Sequence, residues 1–294
     1  MSSSSLCSFK VDLLWKLREL LHSNSFQEVP TPIMRRNNND NLFPRFKVVN
    51  GGYLRESPAY GLRRNLEFFD RIYEIAPCFR TDMPDKTHLS EFLMLDLYAR
   101  GFSLESAIDL ALKILSLVYA GPVSRISMAT HLKNRFGVDF FEDGSAEELV
   151  SERLVGELGY EGKSFLQLLD KYIKDHVEPT SRGCCLVVTD FPDAAEFRAK
   201  RIGRTLLVSR RFEFYINGIE VFHGYEDETD VHRLHAKAKE LGQFGPEEVI
   251  MSGLLNRGSV PSDSAGFGFG IERLCQVCLN EPDIRRFSIS PEFC

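Results

Sequence analysis

Residues 78–98 read CFRTDMPDKTHLSEFLMLDLY. An apolar run ahead of the loop (Ile72, Tyr73, Ile75) and another behind it (Phe92, Met94, Leu95, Leu97, Tyr98) predict two β-arms around Met83-Pro84-Asp85-Lys86. The expected result is an antiparallel hairpin with a long exposed tip. Arg80 ends the first arm, Lys86 and His88 sit in the loop, and Glu91-Phe92 open the second arm. Arginine, lysine and histidine around a loop can hold a polyphosphate, and an aromatic at its mouth can stack on a purine. A surface hairpin with ordinary charges has the same composition, so these residues alone leave both readings open.

The rest of the composition narrows the class. A chain of 294 residues suffices for one large domain or two small ones. Its 43% hydrophobic and 27% charged residues are those of a soluble globular protein. No apolar run approaches the length of about eighteen residues that a membrane span needs. The start, MSSSSLCSFK, lacks the basic residues and apolar core of a signal peptide, so a cytoplasmic location is expected. The seven cysteines include Cys184-Cys185 and Cys275-x-x-Cys278, spacings that form no disulfide framework. A single C-x-x-C on a helix lacks a second ligand pair for zinc and reads as buried free thiols. The net charge of −6 argues against a broad nucleic-acid surface and suits a site for a divalent cation or an amine.

Three stretches in order resemble the motifs of class II aminoacyl-tRNA synthetases. Ser25–Met34, SFQEVPTPIM, resembles motif 1; the opening hairpin resembles motif 2 (Phe-Arg-x-Glu, a loop, Glu-Phe); Gly266–Leu274, GFGFGIERL, resembles motif 3 (Gly-x-Gly-x-Gly-x-Asp/Glu-Arg). The resemblance implies an α+β fold: a mostly antiparallel six- to seven-stranded sheet flanked by helices, as a single catalytic domain over residues 1–294. It also implies a homodimer through residues 11–34, which combine a helix at Val11–Ser23 with an extended Phe26–Met34.

Between the motifs, Asn37–Asn41 reads as a polar loop, and Leu104–Tyr119 as a core helix. Ser145-Ala-Glu-Glu148 reads as a capping box opening a helix to Leu158, followed by a helix at Phe165–Ile173. Residues 124–178 carry no chemical constellation and read as a helical insertion. Leu186–Phe191 is an expected strand. Arg211–Asp230, RFEFYINGIEVFHGYEDETD, alternates into Asn217-Gly218, the dipeptide of a tight hairpin turn, and ends in acids. An acidic run is usually a solvated loop, whereas at a strand end it can hold Mg²⁺. His232 and His235, three apart on an expected helix at Val231–Leu241, read as solvent-exposed. Gly266-x-Gly-x-Gly is not a dinucleotide fingerprint and reads as a strand that a ligand approaches closely.

The resemblance extends to the lysine, aspartate and asparagine branch, and with it to residue roles. Arg80 and Arg273 are the expected catalytic residues. ATP is expected on Arg80, Asp82, Lys86, His88, Phe92, Glu220 and Arg273, with adenine between Phe92 and Arg273. Mg²⁺ is expected on Glu220 and Asp227. Glu56, Asp96, Tyr98, His223, Gly224, Glu228 and Gly268 are the expected amino-acid pocket. Six positions depart from the branch pattern, among them Asp96 and Asp227, each one carbon short of the family's glutamate. Ala59 stands where lysine-type enzymes have glutamate and aspartate-type enzymes glutamine, with Glu56 the nearby substitute for the α-amino group. His223 replaces asparagine, Glu228 replaces leucine, and Asp82 is one carbon short of the motif glutamate.

The reaction implied is ATP-dependent activation of an amino acid as an aminoacyl-adenylate. Motif 1 begins at about residue 25, which leaves no room ahead of it for an anticodon-reading barrel. The acceptor is therefore expected to be a protein lysine, ammonia or a small amine, as in elongation-factor-P lysyltransferases, with tRNA not expected as a partner. A minimal tRNA aminoacylating enzyme and a non-catalytic regulator are the alternatives.

Overall fold

The computed structural model describes residues 2–36, 45–49, 51–193 and 196–288. The run Asn37–Asn41, expected as a loop, lies outside them. The chain forms two compact units, Met1–Ala120 with Val231–Cys294 and Gly121–Asp230. The first unit begins with α1 (Ser3–Ser23), β1 (Gln27–Glu28), β2 (Met34–Arg35), β3 (Tyr53–Leu54) and α2 (Ala59–Asn65). It continues through β4 (Arg71–Phe79), β5 (Glu91–Arg100) and α3 (Leu104–Leu115). The second unit holds β6 (Val123–Ser127), α4 (Met128–Phe136), α5 (Ala146–Leu158) and α6 (Phe165–Tyr172). Its strands β7 (Cys185–Pro192), β8 (Arg201–Ile202), β9 (Val208–Ile216) and β10 (Ile219–Glu226) follow. The chain then returns to the first unit with α7 (Val231–Glu240), α8 (Pro246–Asn256), β11 (Ser264–Gly270) and α9 (Ile271–Cys278).

In the first unit the strand order is β1-β4-β5-β11. The motif 2 hairpin is continuous, with β4 and β5 paired antiparallel from Arg71↔Ala99 to Phe79↔Glu91. β11 runs antiparallel to β5 from Ser264↔Arg100 to Gly270↔Met94. Glycine is required in β11. A Cβ on Gly266 would lie 2.5 Å from the Leu97 carbonyl oxygen and 2.6 Å from the Tyr98 ring. Beside β4, Arg55 and Glu74 form a buried ion pair at 2.9 Å, and the Thr31 hydroxyl donates to Glu74 at 2.6 Å. This contact ties the extended motif 1 segment to the hairpin.

α1 buries Leu6, Leu13, Leu17 and Leu21 at three- and four-residue steps. It begins eight residues earlier than its leucine pattern suggests, because the Ser2 hydroxyl caps it by accepting from the Ser5 N–H at 3.2 Å. α3 ends at Leu115 instead of Tyr119, its carbonyls closed off by turns at residues 116–119.

The second unit orders its strands β10-β9-β7-β6, with β8 on β9. β9 and β10 join through Asn217 and Gly218 at φ +52° and +79°, the two positive angles that a tight hairpin turn demands. The helical segment expected at 124–178 packs Met128, Phe140, Val150, Leu154 and Leu168 on Val188 and Tyr215 of the strands. That segment opens on β6, a strand the reading left out. Val123-Ser-Arg-Ile-Ser127 is largely exposed and polar, so it carries no apolar signature and forms only because β7 offers it a parallel partner.

The expected α+β architecture of mostly antiparallel strands flanked by helices is present. The six to seven strands foreseen become four in the first unit and five in the second, since two-residue pieces such as β1 and β8 are set by tertiary pairing. One capping assignment is corrected. Ser145 makes no side-chain cap, because at ψ 8° its backbone is not extended and its N–H is already taken by Asp143 at 2.9 Å. The capping box belongs to α6, between Ser164 and Gln167.

Gly266→Ala is expected to lower unfolding free energy by about 1–3 kcal/mol, the usual range for forcing an extra methyl into a packed site. It should appear as a lower urea midpoint at unchanged slope. An unaltered midpoint would contradict the close approach of β11 to β5.

Candidate active site

The hairpin mouth of the first unit gathers the residues expected to meet a nucleotide. Arg80 follows β4 and its guanidinium lies 5.3 Å from the centre of the Phe92 ring. Arg273 sits in the first turn of α9. A Cβ built on Gly270 would stand 3.7 Å from the Arg273 Cβ and 3.8 Å from Phe92. Phe92 and Arg273 therefore flank one glycine-lined spot. The hairpin tip is closed on Asp85, whose Oδ1 accepts from the backbone N–H groups of Thr87 at 2.6 Å and His88 at 2.8 Å. These backbone donors, and then the His88 side chain, hold the Asp85 carboxyl well below the usual carboxylate range. His88 is thereby tethered, with Nδ1 3.0 Å from Asp85.

The tip docks on α9 and the short helix Ile284–Phe287. The Lys86 carbonyl accepts from Gln276 at 2.7 Å and from the Ile284 N–H at 3.0 Å, and the Thr87 carbonyl accepts from Arg273 at 3.4 Å. Asp82 is exposed, and its carbonyl accepts from Ser90 at 3.3 Å. Glu272 joins three elements by pairing with Lys10 of α1 at 2.6 Å and accepting the Leu93 N–H of β5 at 3.0 Å. On the opposite face of the hairpin a largely apolar cavity of about 290 Å³ is lined by Phe46, Leu54, Phe79, Leu89 and Arg285.

Further along β5, Asp96 and Tyr98 are buried. Asp96 accepts a hydrogen bond from Ser57 at 3.0 Å, and Gly268 lies opposite it in β11. A Cβ on Gly268 would lie 2.6 Å from the Met94 methyl and 3.1 Å from the Asp96 carboxyl, so glycine is what fits beside that buried acid. Burial pushes the Asp96 pKa up to about 8, against the opposing pull of the Ser57 hydrogen bond. Glu56 is placed differently. Both its oxygens are held by Arg45, at 2.5 and 2.9 Å, within a buried group that includes Arg35 and Glu247. Burial works to raise the Glu56 pKa, but the Arg45 hydrogen bonds and then the charges of Arg45 and Arg35 outweigh it and lower the value.

The remaining expected residues lie in the second unit. Glu220 and His223 of β10 stand with Glu213 of β9, their ligand atoms all within 4.8 Å of one another. Burial acts to raise the Glu213 pKa, but the Arg211 charge, then His223 and the Tyr215 hydroxyl, hold it below the usual range. Gly224 pairs with Phe212. Asp227 is buried, its backbone bridged to Ala199. Glu228 is buried too: its Oε1 accepts the Asp230 N–H at 3.0 Å and its Oε2 lies 3.6 Å from Arg201.

The reading missed Ser57, Glu213, Glu272 and Gln276. Each is an ordinary polar residue inside a stretch already singled out, and only its cross-chain contact marks it. His235 is corrected: it is half-buried, hydrogen-bonded to Ser252 and edge-on to Phe244 at 4.7 Å, because α8 packs on its face of α7. The six cysteines among the described residues are free, and burial raises the thiol pKa of Cys275 and brings that of Cys278 up to about 12. No described helix is long and apolar enough to cross a membrane.

Residues 2–293 match the family of class II tRNA synthetases (D, K and N). The chain belongs to that family. It is 27% identical over 312 residues to a lysine–tRNA ligase of Carboxydothermus hydrogenoformans, covering 94% of this chain and 62% of the relative. To a lysine–tRNA ligase of Thermotoga maritima it is 28% identical over 314 residues, covering 92% and 59%. A third such ligase, from Saccharolobus solfataricus, is 26% identical over 309 residues, covering 93% and 61%. The synthetase-family chain thus spans about three-fifths of the length of these curated relatives.

The raised pKa of Asp96 carries a signed consequence for stability. The folded form holds a proton that the unfolded chain releases near the ordinary aspartate value, so this group's contribution is full at low pH and lost between about pH 4 and pH 8. Asp96→Asn should remove that loss. Melting temperatures of both proteins measured from pH 4 to pH 8 should diverge, the wild type falling more steeply. Parallel curves would show that Asp96 is charged throughout.

Proposed function

We propose that this synthetase-family protein activates an amino acid with ATP, forming an aminoacyl-adenylate and pyrophosphate. The observation that carries this reading is that Phe92 stands against Arg80 and flanks Gly270 together with Arg273, beside a loop docked on α9. In the proposed reaction a carboxylate oxygen of the amino acid attacks the α-phosphorus. The bond from that phosphorus to the α–β bridging oxygen breaks, and its electron pair leaves with pyrophosphate. Positioning and charge neutralisation supply the catalysis, with little covalent work asked of the protein. Arg80 serves the α-phosphate and the attacking carboxylate. His88 and Lys86, with Arg273, serve the γ-phosphate end, Asp82 sits beside them, and adenine lies between Phe92 and Arg273.

The carboxylate oxygens of Glu220 and Asp227 are the donor type that suits Mg²⁺. When bound, such an ion supplies charge neutralisation for the phosphates. Asp96, Tyr98 and Gly268 of the first unit serve the amino acid in this reading. Glu56 is left out of amine contact because Arg45 occupies both its oxygens. Asp96 is the acid that suits an amine-bearing side chain.

The acceptor has two readings. Net charge −6 favours a protein lysine or a small amine, whereas the names of the relatives, lysine–tRNA ligases, favour tRNA at least as strongly. The expectation that tRNA is no partner therefore loses its support. A homodimer through residues 11–34 completes the proposal. α1 leaves Val11 and Trp15 exposed while Leu13, Leu17 and Leu21 are buried, and Met34 is exposed at the far end.

Amino-acid-dependent ATP–pyrophosphate exchange tests the reaction. Exchange with one amino acid is expected, and Arg273→Ala should lower it about 10²–10³-fold, the usual cost of losing a group that stabilises transition-state charge. Undiminished exchange in the variant would remove Arg273 from the site; no exchange with any amino acid would defeat the reading. Adding total tRNA or a lysine-bearing protein to the preformed adenylate then separates the two acceptors. Trp15→Glu should turn a dimer into a monomer by light scattering, and an unchanged mass would place the interface elsewhere.

A further inference from the structure

We infer that Glu213, Glu220 and His223 form a site for a borderline divalent transition-metal ion, one that takes Zn²⁺ in preference to Mg²⁺. Register brings the three groups together. On a regular strand, residues three apart face opposite sides, so Glu220 and His223 should diverge. They do not, because β10 pairs Glu220 with Tyr215 but His223 with Glu213, and the register shifts between Glu220 and Phe222. The shift leaves Val221 as an extra residue and turns both side chains to the face that carries Glu213 and Tyr215. The outcome is two carboxylates and an imidazole with ligand atoms no more than 4.8 Å apart.

The donor set decides the ion. Mg²⁺ selects oxygen ligands and keeps most of its water, whereas an imidazole nitrogen suits zinc and its neighbours. Zinc–nitrogen and zinc–oxygen bonds of about 2.0–2.1 Å give a tetrahedral edge on the order of 3.4 Å, so ligation requires the three groups to close by up to about 1.4 Å. Glu220 and His223 are only half-buried and have room for that movement. Glu213 is buried and fixed by Arg211 and Tyr215, which hydrogen-bond to its two oxygens. A carboxylate has about four lone-pair positions, so these bonds orient Glu213 and leave it able to ligate. Arg211 also sets the charge. Two carboxylates and one guanidinium give a local charge of about −1, enough to attract a dication and too little to saturate it, which leaves the fourth position to water or a further anion.

The inference rests on these residues and not on the reaction proposed above, and its test contains no nucleotide. The untagged full-length protein is titrated with Zn²⁺ against a chromophoric chelator, and separately with Mg²⁺. One equivalent of Zn²⁺ is expected, bound at least about 100-fold more tightly than Mg²⁺. His223→Asn, with its fold checked by circular dichroism, should weaken Zn²⁺ by at least about tenfold and leave the weak Mg²⁺ affinity unchanged. Should His223→Asn lose its fold, Glu220→Gln is read on Zn²⁺ affinity alone, which should fall by at least about tenfold. With Co²⁺ as the probe, visible d–d bands without a thiolate charge-transfer band are expected. Zinc affinity untouched by His223→Asn, no zinc binding, or a thiolate band pointing to cysteine ligation would each overturn the assignment.

Discussion

Much of the first unit depends on how closely two strands approach. β11 lies against β5 with no side chain between Gly266 and the Leu97–Tyr98 backbone, or between Gly268 and the Asp96 carboxyl. A strand rich in glycine is poor in intrinsic stability, since glycine loses the most freedom on ordering and contributes no packing. Phe267 and Phe269 offset that cost by burying large rings between the glycines. Neither alternate set is dispensable: the phenylalanines hold the strand in place, and the glycines keep one face flat. The Met94 methyl and the Asp96 carboxyl fit against Gly268 for that reason, and Gly270 delivers the chain into α9 with Arg273 beside Phe92.

The same geometry joins distant parts of the sequence through backbone groups. Carbonyls of Lys86 and Thr87 accept from Gln276 and Arg273, while Glu272 reaches the Leu93 N–H and Lys10. A loop whose position is set by its carbonyls keeps its side chains available, and this suits a tip that carries Lys86 and His88. The α9 residues at 272, 273 and 276 lie within about one helical turn, so one short helix can order the loop and present a cation at once.

What could be read from the sequence follows from the range of the interaction involved. The hairpin was legible because strand alternation and the Pro-Asp loop are local, and the Asn217-Gly218 turn because its positive φ angles are a property of those two residues. The family motifs named Arg80, Phe92 and Arg273 for the same reason. Features set by pairing across the chain were hidden. β6 has no apolar signature without β7, the cap at Ser145 yields to a neighbouring aspartate, and the shift at Val221 exists only in the register of β10 on β9. Read alone, Glu220 and His223 alternate to opposite faces, so their convergence on Glu213 had no signal in the spacing.

Two acids near the expected amino-acid pocket show how burial and partners divide their roles. Glu56 and Asp96 are both buried carboxyls, and desolvation alone would raise both pKa values. Arg45 meets Glu56 with two hydrogen bonds and keeps it ionised, so its charge is already balanced and a second cation gains little from it. Among the described residues the neutral Ser57 hydroxyl is the side-chain donor to Asp96, whose pKa is pushed up to about 8. A neutral acid in an apolar setting costs little to bury, yet it releases its proton when a cation arrives and then pairs with it at low dielectric. Such a group discriminates strongly, because an uncharged side chain placed beside it gains no comparable partner. If an amine is bound on this face of β5, the asymmetry of these two environments selects Asp96 over Glu56 to hold it, although Glu56 is the acid nearer in sequence to the altered position at Ala59.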